Sequence, residues 1–413
     1  MKHLIGLSAL TVSRQPEDGT QAPLTCARVA MAGQRAALEW TTAEIDRGSC
    51  LDPLRYPLTP GLIEARSDAL GGLHGFLADS LPDAWGVRLL ARRLRRDGIG
   101  LETLSCVQRF SLVGHHGRGA LLYDPSNEDM AKDLASERIA DIDGLARAAN
   151  LIMTATDNSE SEPLTRLLEL LGSGSGGARP KAHVDLAGEA WIVKFPGPSD
   201  PVDIGPIEEV YLQMARTCGL KVMSSRLIAS SQGPGWFATI RFDRKLGGGR
   251  IHMVSLCGAL EAPSGITAIG YDTFLRATMA ITRNVIDVEA VFLRMIFNIL
   301  ACNRDDHSRQ HAFLQDTHGN WRLAPAFDLT FSHGPGGEHE LDIDGEVRRP
   351  TRSHVLSLAE RHGVASQKID RMIDAVRSAF AKWEHLAKET GVSATSRTDI
   401  ATTLAKIDRD FQS

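Results

Sequence analysis

The sequence predicts an α+β chain with a β-rich N-terminal lobe, extended by an extra N-terminal subdomain, and an all-helical C-terminal lobe. Three observations point there. The chain has 413 residues, too many for one small core, so two packed lobes are expected. Residues 26–31, 36–40, 189–196 and 237–244 read as strands in the first part, and apolar residues at i, i+3 and i+4 mark helices in the last. Between residues 297 and 332 a short hairpin separates two acidic centres. The expected organisation is a subdomain at 1–125, the rest of the N-terminal lobe at 126–245 and the helical lobe at 246–413.

Composition narrows the class. Hydrophobic residues make up 43% and charged residues 23%, as in an ordinary water-soluble protein. A net charge of −5 argues against broad nonspecific nucleic-acid binding by the whole surface. Cysteines 26, 50, 106, 218, 257 and 302 form no C-x-x-C pair. They read as reduced, mostly buried thiols of a cytoplasmic protein rather than a disulfide framework or zinc site. The apolar run 4–10 follows Lys2 but no A-x-A-like cleavage site follows it, so a strand or packed extension is expected there. The run 291–302 is short and interrupted by Arg294 and Asn298, so no membrane span is expected.

In chain order, 26–31 and 36–40 read as strands around Gly33-Gln34. A helix is expected to start at Pro82 with Asp79 or Ser80 as N-cap. Its basic residues Arg88, Arg92, Arg93, Arg95 and Arg96 read as a solvated face. Residues 124–162 form a polar, acidic connector with a helical span at 139–153. At 167–181, LLELLGSGSGGARPK, a helix ends in Gly172, Gly174, Gly176 and Gly177, with Lys181 beyond. Such glycines let backbone N–H groups approach phosphate oxygens; a flexible Gly-Ser linker is the other reading. The P-loop pattern G-x-x-x-x-G-K-[ST] fails, because Ala182 follows Lys181.

The strand at 189–196 carries Lys194 among Trp, Ile, Val and Phe. That lysine is either on an exposed face or a buried cation that needs a carboxylate. The helix expected at 207–219 offers Glu208 and Glu209. A further strand spans 237–244, and Gly247–Gly249 hands the chain to the second lobe. Helices are expected at 271–281, 285–302, 353–361, 366–389 and 396–411. Residues 334–349, rich in Gly and acids, lie between the second acidic centre and the last helices.

The central stretch reads FNILACNRDDHSRQHAFLQDTHGNWRLAPAFDLTFS. An apolar helix end leads into Asn303-Arg304-Asp305-Asp306-His307. Residues 311–314 and 321–323 alternate as strands around His318-Gly319-Asn320, and Asp328 follows. A catalytic loop, a hairpin and a second aspartate form the layout that protein kinases use for phosphoryl transfer. Counting on that layout gives Asp305, Gln310 and Asp328. A solvated acidic turn plus a helix-capping Asp is the plainer reading of the Asp pair by itself.

NRDDHSRQHAF and WRLAPAFD resemble the catalytic segment of the HipA-type serine/threonine kinases of bacterial toxin–antitoxin systems, which typically reads N-T-D-D-H-x-(R/K)-N-x-x-F and then W-R-L-A-P-A-(Y/F)-D. The resemblance recurs in the 76–86 segment FLADSLPDAWG, at 110–121, in GGARPK and in Arg241-Phe242-Asp243-Arg244. It implies a two-lobed, protein-kinase-like fold using ATP and Mg²⁺. Asp305 would be the base or hydroxyl orienter, with Lys194 on the phosphates and Glu208 its partner, one residue from Glu209. Gly176, Gly177, Ala178, Arg179, Pro180 and Lys181 would cover the phosphates, and the backbones of Ile240 and Phe242 would bond adenine. His307, Gln310, Phe327 and Asp328 would complete the nucleotide site, with Asp328 and Gln310 holding metal. Residues 334–349 occupy the position of an activation segment.

Further implications are a toxin that phosphorylates a translation component, such as an aminoacyl-tRNA synthetase, and a small helix-turn-helix, HipB-like antitoxin. Operator DNA would be bound mainly through that antitoxin. Autophosphorylation would fall on Ser175 or Ser173, with Ser175 favoured beside the two glycines. Two other classes are a catalytically weak kinase-fold corepressor scaffold and a small-molecule or lipid kinase. Where the family usually has Asn, this chain has Gln310.

Overall fold

Alternation of buried and exposed residues builds the first sheet. In the computed structural model, residues 6–127, 141–154, 178–262 and 269–412 are described. The chain divides into two compact units, one comprising 1–200, 238–254 and 314–320, the other 201–237, 255–313 and 321–413. These units cut across the expected segments 1–125, 126–245 and 246–413.

In the first unit, β1 (Ala9–Arg14), β2 (Leu24–Ala32), β3 (Arg35–Trp40), β4 (Leu62–Glu64) and β5 (Leu121–Asp124) form one sheet in the order β4-β3-β2-β1-β5. Leu10, Val29 and Leu38 face one another across three antiparallel strands, and all three are buried. A second row, Val12, Ala27 and Trp40, lies on the same face. Trp40 stacks on Phe76 with centroids 5.7 Å apart, and Phe110 stacks on Tyr123 at 4.7 Å. Burying such side chains contributes about 1.5–3 kcal/mol each.

The helix expected at Pro82 begins later. A four-residue helix, Gly75–Ala78, uses Asp79 as its C-cap, and the long helix Ala84–Arg96 has Asp83 as N-cap. Ser80 is occupied elsewhere, accepting from the Tyr123 hydroxyl at 2.6 Å. The capping signals were read one turn early, because a short helix intervenes.

β6 (Lys181–Leu186) and β7 (Glu189–Lys194) form a hairpin. Its turn, Ala187-Gly188, has φ of 57° and 86°, the left-handed pair that a two-residue hairpin turn requires. β6 was missing from the sequence reading, although its alternation and the Ala-Gly turn signal it. β7 continues onto β9 (Trp236–Ile240), and with β8 (Ser225–Ile228) the sheet order is β6-β7-β9-β8.

Residues 247–249 stay with the first unit instead of handing the chain to the second. Gly19 and Gly249 approach so closely that a Cβ on either would run into the backbone of residue 247 or Glu17.

In the second unit, the helix Ile204–Thr217 places Tyr211 among Phe297, Phe380 and Trp383, with centroids 6.3, 6.1 and 6.0 Å away. This aromatic packing is why the helix clusters with the C-terminal residues. The helix Val285–Leu300 starts at Asn284, whose side chain accepts from Ile286 N–H. The single helix expected at 366–389 is two, Ser366–Phe380 and Trp383–Thr390. Trp383 is buried at the break and donates through Nε1 to Arg397 O. Further helices run Tyr271–Thr282, Arg352–Arg361 and Ala394–Gln412. A third sheet, β10 (His252–Ser255), β11 (Ala312–Gln315) and β12 (Trp321–Leu323), contains the expected hairpin, whose turn belongs to the first unit. Asp316 holds its turn, accepting from the N–H groups of His318 and Asn320.

Candidate active site

The second unit brings together two of the three residues that counting along the chain proposed. The Gln310 side-chain amide donates to Asp328 Oδ2 at 2.5 Å, so two residues eighteen positions apart meet. Asp328 has φ of 58°, a conformation that Asp tolerates better than most residues and that recurs at functional sites. An amide oxygen and a carboxylate are the hard donors that Mg²⁺ takes when phosphate oxygens and water complete its shell. Among the described residues no group of three or more His, Cys, Asp or Glu could hold a metal by itself.

The two neighbouring aspartates are sharply distinguished. The Asp306 side chain is 0% exposed. Its carboxylate accepts from the Tyr271 hydroxyl at 2.8 Å, from His339 Nδ1 at 3.0 Å and from the Glu340 N–H at 2.9 Å. The Asp305 side chain is 51% exposed. Its Oδ1 lies 3.8 Å from His307 Nε2, while His307 Nδ1 accepts from Arg309 N–H and caps the short turn Ser308–Gln310. Asp306 holds the loop and Asp305 is presented at its surface.

The polar residues that interrupt the apolar helix anchor this loop. Asn298 donates to the Tyr271 hydroxyl and accepts from Asn303 Nδ2, both at 2.9 Å. Buried Arg294 donates to Ala324 O at 2.8 Å, at the start of the segment leading to Asp328. Sequence reading used Arg294 and Asn298 only to exclude a membrane span. Their helical spacing, with Asn298 one turn beyond Arg294 on an otherwise apolar stretch, was the available signal. Burial, with the Arg294 guanidinium beside it, holds His311 well below the ordinary imidazole value. Burial and the Asp306 charge push the Tyr271 phenol well above its own, so it remains a donor.

In the first unit Lys181 and Lys194 stand directly opposite each other on β6 and β7, with Lys181 buried and Lys194 half-buried. Lys181 O accepts from Trp85 Nε1 at 3.0 Å, and Pro180 O from Phe195 N–H at 2.9 Å. Arg179 is engaged by Asp200 through both Nε and an NH₂ group, so it braces the chain behind Ala178. Gly176, Gly177, Ser173 and Ser175 lie outside the described residues.

At β9, Arg241 N–H donates to Ala190 O at 2.9 Å. Successive residues of a strand turn their backbone groups to opposite sides, so those of Ile240 point away from β7, while Phe242 lies in the turn that follows β9. Glu208 and Glu209, in the second unit, are both buried. Glu209 Oε1 accepts from Gln213 Nε2 at 2.9 Å.

Arg241-Phe242-Asp243-Arg244 is a structural knot. Asp243 accepts from Arg241 Nε and NH₂, from Arg244 and from Gly119 N–H, at 2.8–2.9 Å. Arg244 donates to Gly117 O and Gly119 O. Burial opposes the Asp243 charge, but the two guanidinium groups overcome it and hold the carboxyl far below its ordinary value.

The comparisons with known proteins agree with this architecture. The HipA-like C-terminal domain family matches residues 173–383. The solved structure of HipA from Shewanella oneidensis MR-1, in a complex with HipB and its operator DNA, is similar at a TM-score of 0.67 and 16% identity. The match covers 97% of this chain and 95% of that one. The Helicobacter pylori proinflammatory kinase CtkA overlaps at a TM-score of 0.38 and 17% identity, covering 57% of this chain and 93% of that one. No curated protein matches the chain. With the family matching just over half of the sequence and the fold extending over nearly all of it, this chain belongs to the HipA-like C-terminal domain family.

Proposed function

We propose that the chain is an ATP- and Mg²⁺-dependent serine/threonine protein kinase, the toxin of a toxin–antitoxin pair. The observation that carries this reading is the loop at 303–310 with Asp328: Asp306 buried and saturated, Asp305 exposed, and Gln310 bonded to Asp328. Bound Mg²⁺ would neutralise phosphate charge. Asp305 would orient the attacking hydroxyl and take up its proton, while Gln310 and Asp328 would hold the ion. His307 and Phe327 would flank the nucleotide. Lys181 and Lys194 supply positive charge for phosphates, Glu208 is the carboxylate proposed for Lys194, and Ile240 and Phe242 offer backbone groups to adenine.

The HipA structure contains HipB and operator DNA. By that likeness, this chain would pair with a HipB-like helix-turn-helix antitoxin and reach DNA mainly through it, in keeping with a net charge of −5. The substrate would be a translation component such as an aminoacyl-tRNA synthetase, and the location cytoplasmic. Among the described residues no helix is long and apolar enough to cross a membrane.

Radiolabelled ATP added to whole-cell lysate, with the parent compared to Asp305→Asn, tests the reading. Label on a protein hydroxyl that depends on Asp305 is the expected result. ATP binding without transfer would leave a corepressor scaffold, and label only on small molecules or lipids would leave a kinase of those. Autophosphorylation at Ser175 or Ser173 would place roughly −1.5 to −2 charges in the segment proposed to hold ATP phosphates. Mass spectrometry after incubation with Mg-ATP should find it; phosphate absent from 172–181 in active protein would remove that switch.

A further inference from the structure

The second unit contains a cavity of about 410 Å³ separate from the Gln310–Asp328 pair. Arg304, Arg348, Arg349 and Lys406 contribute cations to its wall, and Asp410 is the carboxylate among the lining residues. This concentration of positive charge belongs to a chain whose net charge is −5. Glu338 tempers it by pairing with Arg348 at 2.7 Å, and His339, also in the wall, is committed to Asp306. Ile299 and Ile407 add apolar lining. A volume in the range of small-molecule sites, with both cationic and apolar residues in the wall, suits an anion attached to a small organic group.

Arg304 ties this cavity to the loop that carries Asp305. It directly precedes Asp305, and its guanidinium donates to Gly337 O at 2.6 Å and to Arg348 O at 3.2 Å. Its Nε is buried without an acceptor, an arrangement that costs free energy until one is supplied. Gly334 lies so close that a Cβ there would meet Arg304 Cβ and the backbone oxygen of Glu338. Residues 334–348 are therefore pinned to the catalytic loop on one side by Arg304 and on the other by Asp306, through His339 and Glu340.

We infer that this cavity is a regulatory site for a phosphate monoester, whose binding firms residues 334–349 against the Asp305 loop. Guanidinium forks match phosphate oxygens, and a ligand that binds only the ordered arrangement favours it by mass action. The ester could be a free metabolite or a phosphorylated side chain of this protein; the recognised chemistry is the same.

The test titrates the full chain with phosphoserine, using serine as the blank, by calorimetry and by amide hydrogen exchange. Phosphoserine should bind and slow exchange in 334–349, and serine should do neither. Arg349→Ala combined with Lys406→Ala, both exposed positions, should leave the melting temperature of the ligand-free protein unchanged and weaken binding at least about tenfold, roughly 1.4 kcal/mol. Repeating the titration after phosphatase treatment separates the sources. Binding that emerges only after treatment marks a phosphate already carried by the chain, and binding present throughout marks a free ester. Equal responses to serine and phosphoserine, or equal affinity in the double variant, would overturn the site. Binding without slowed exchange would overturn its coupling to the loop.

Discussion

The knot at 241–244 and the loop at 303–310 are both dense in charge, and they use it in opposite ways. At the knot, Asp243 is 6% exposed in its side chain and accepts from two arginines and a backbone N–H. At the loop, Asp305 is 51% exposed. Its neighbour Asp306 repeats the pattern of the knot, buried and saturated by three donors. A buried carboxylate that accepts from three or more donors holds backbone segments together. One that is held in place and left open to solvent can meet a substrate.

The largest effect should come from breaking that contrast at the loop. Asp305→Asn should reduce phosphotransfer by about 10²–10⁴-fold with little change in melting temperature. Asp306→Ala should instead lower the melting temperature, because three donors lose their acceptor. An Asp305→Asn variant as active as the parent would transfer the chemical role away from this residue.

Next in size is the knot. Asp243→Ala leaves the buried charges of Arg241 and Arg244 without their carboxylate, which should cost about 3–5 kcal/mol of stability, read by denaturant titration. A cost under about 1 kcal/mol would mean that the remaining partners, Gly117 O, Gly119 O and His183, suffice for the arginines and that Asp243 does not anchor the knot.

Smaller, and spread over both units, is an acid sensitivity. Burial pushes His252 down to about 4, and burial holds His183 and His311 well below their ordinary value. For each, the unfolded chain binds the proton more tightly than the folded one. The stability from burying these rings neutral is complete above about pH 6.5 and should drain away as pH falls toward 4. Asp243 adds a further loss only below the ordinary carboxylate range. A melting temperature that stays level from pH 7 to 4.5 would contradict this sign.

The smallest effect sharpens the metal site. Gln310→Asn shortens the arm that reaches Asp328 by one methylene. If the longer amide weakens one Mg²⁺ site, rate against Mg²⁺ concentration should saturate at lower Mg²⁺ in the variant. Superimposable curves would mean that Gln310 is not a ligand or fits without penalty.

Local pattern determined a good part of this protein. The alternation at 26–31 and 36–40, the hairpin around Gly319 and the helical spacing beyond residue 270 each specify an element through contacts made within a few residues. The meeting of Gln310 and Asp328 was legible for the same reason, since a loop and a hairpin of set length bring the two together. What tertiary structure alone decided was the use made of each polar group. Counting along the chain singles out Asp305 but assigns Asp306 no role, and only the arrival of Tyr271, His339 and Glu340 makes Asp306 structural. Arg294 and Asn298 look like flaws in an apolar helix until Ala324, Asn303 and Tyr271 are placed against them. The helix at 204–217 joins the C-terminal residues because Tyr211 finds three aromatic partners that lie 86 to 172 positions later in the chain. Burial and hydrogen-bond saturation are set by residues distant along the chain, so no local pattern encodes them.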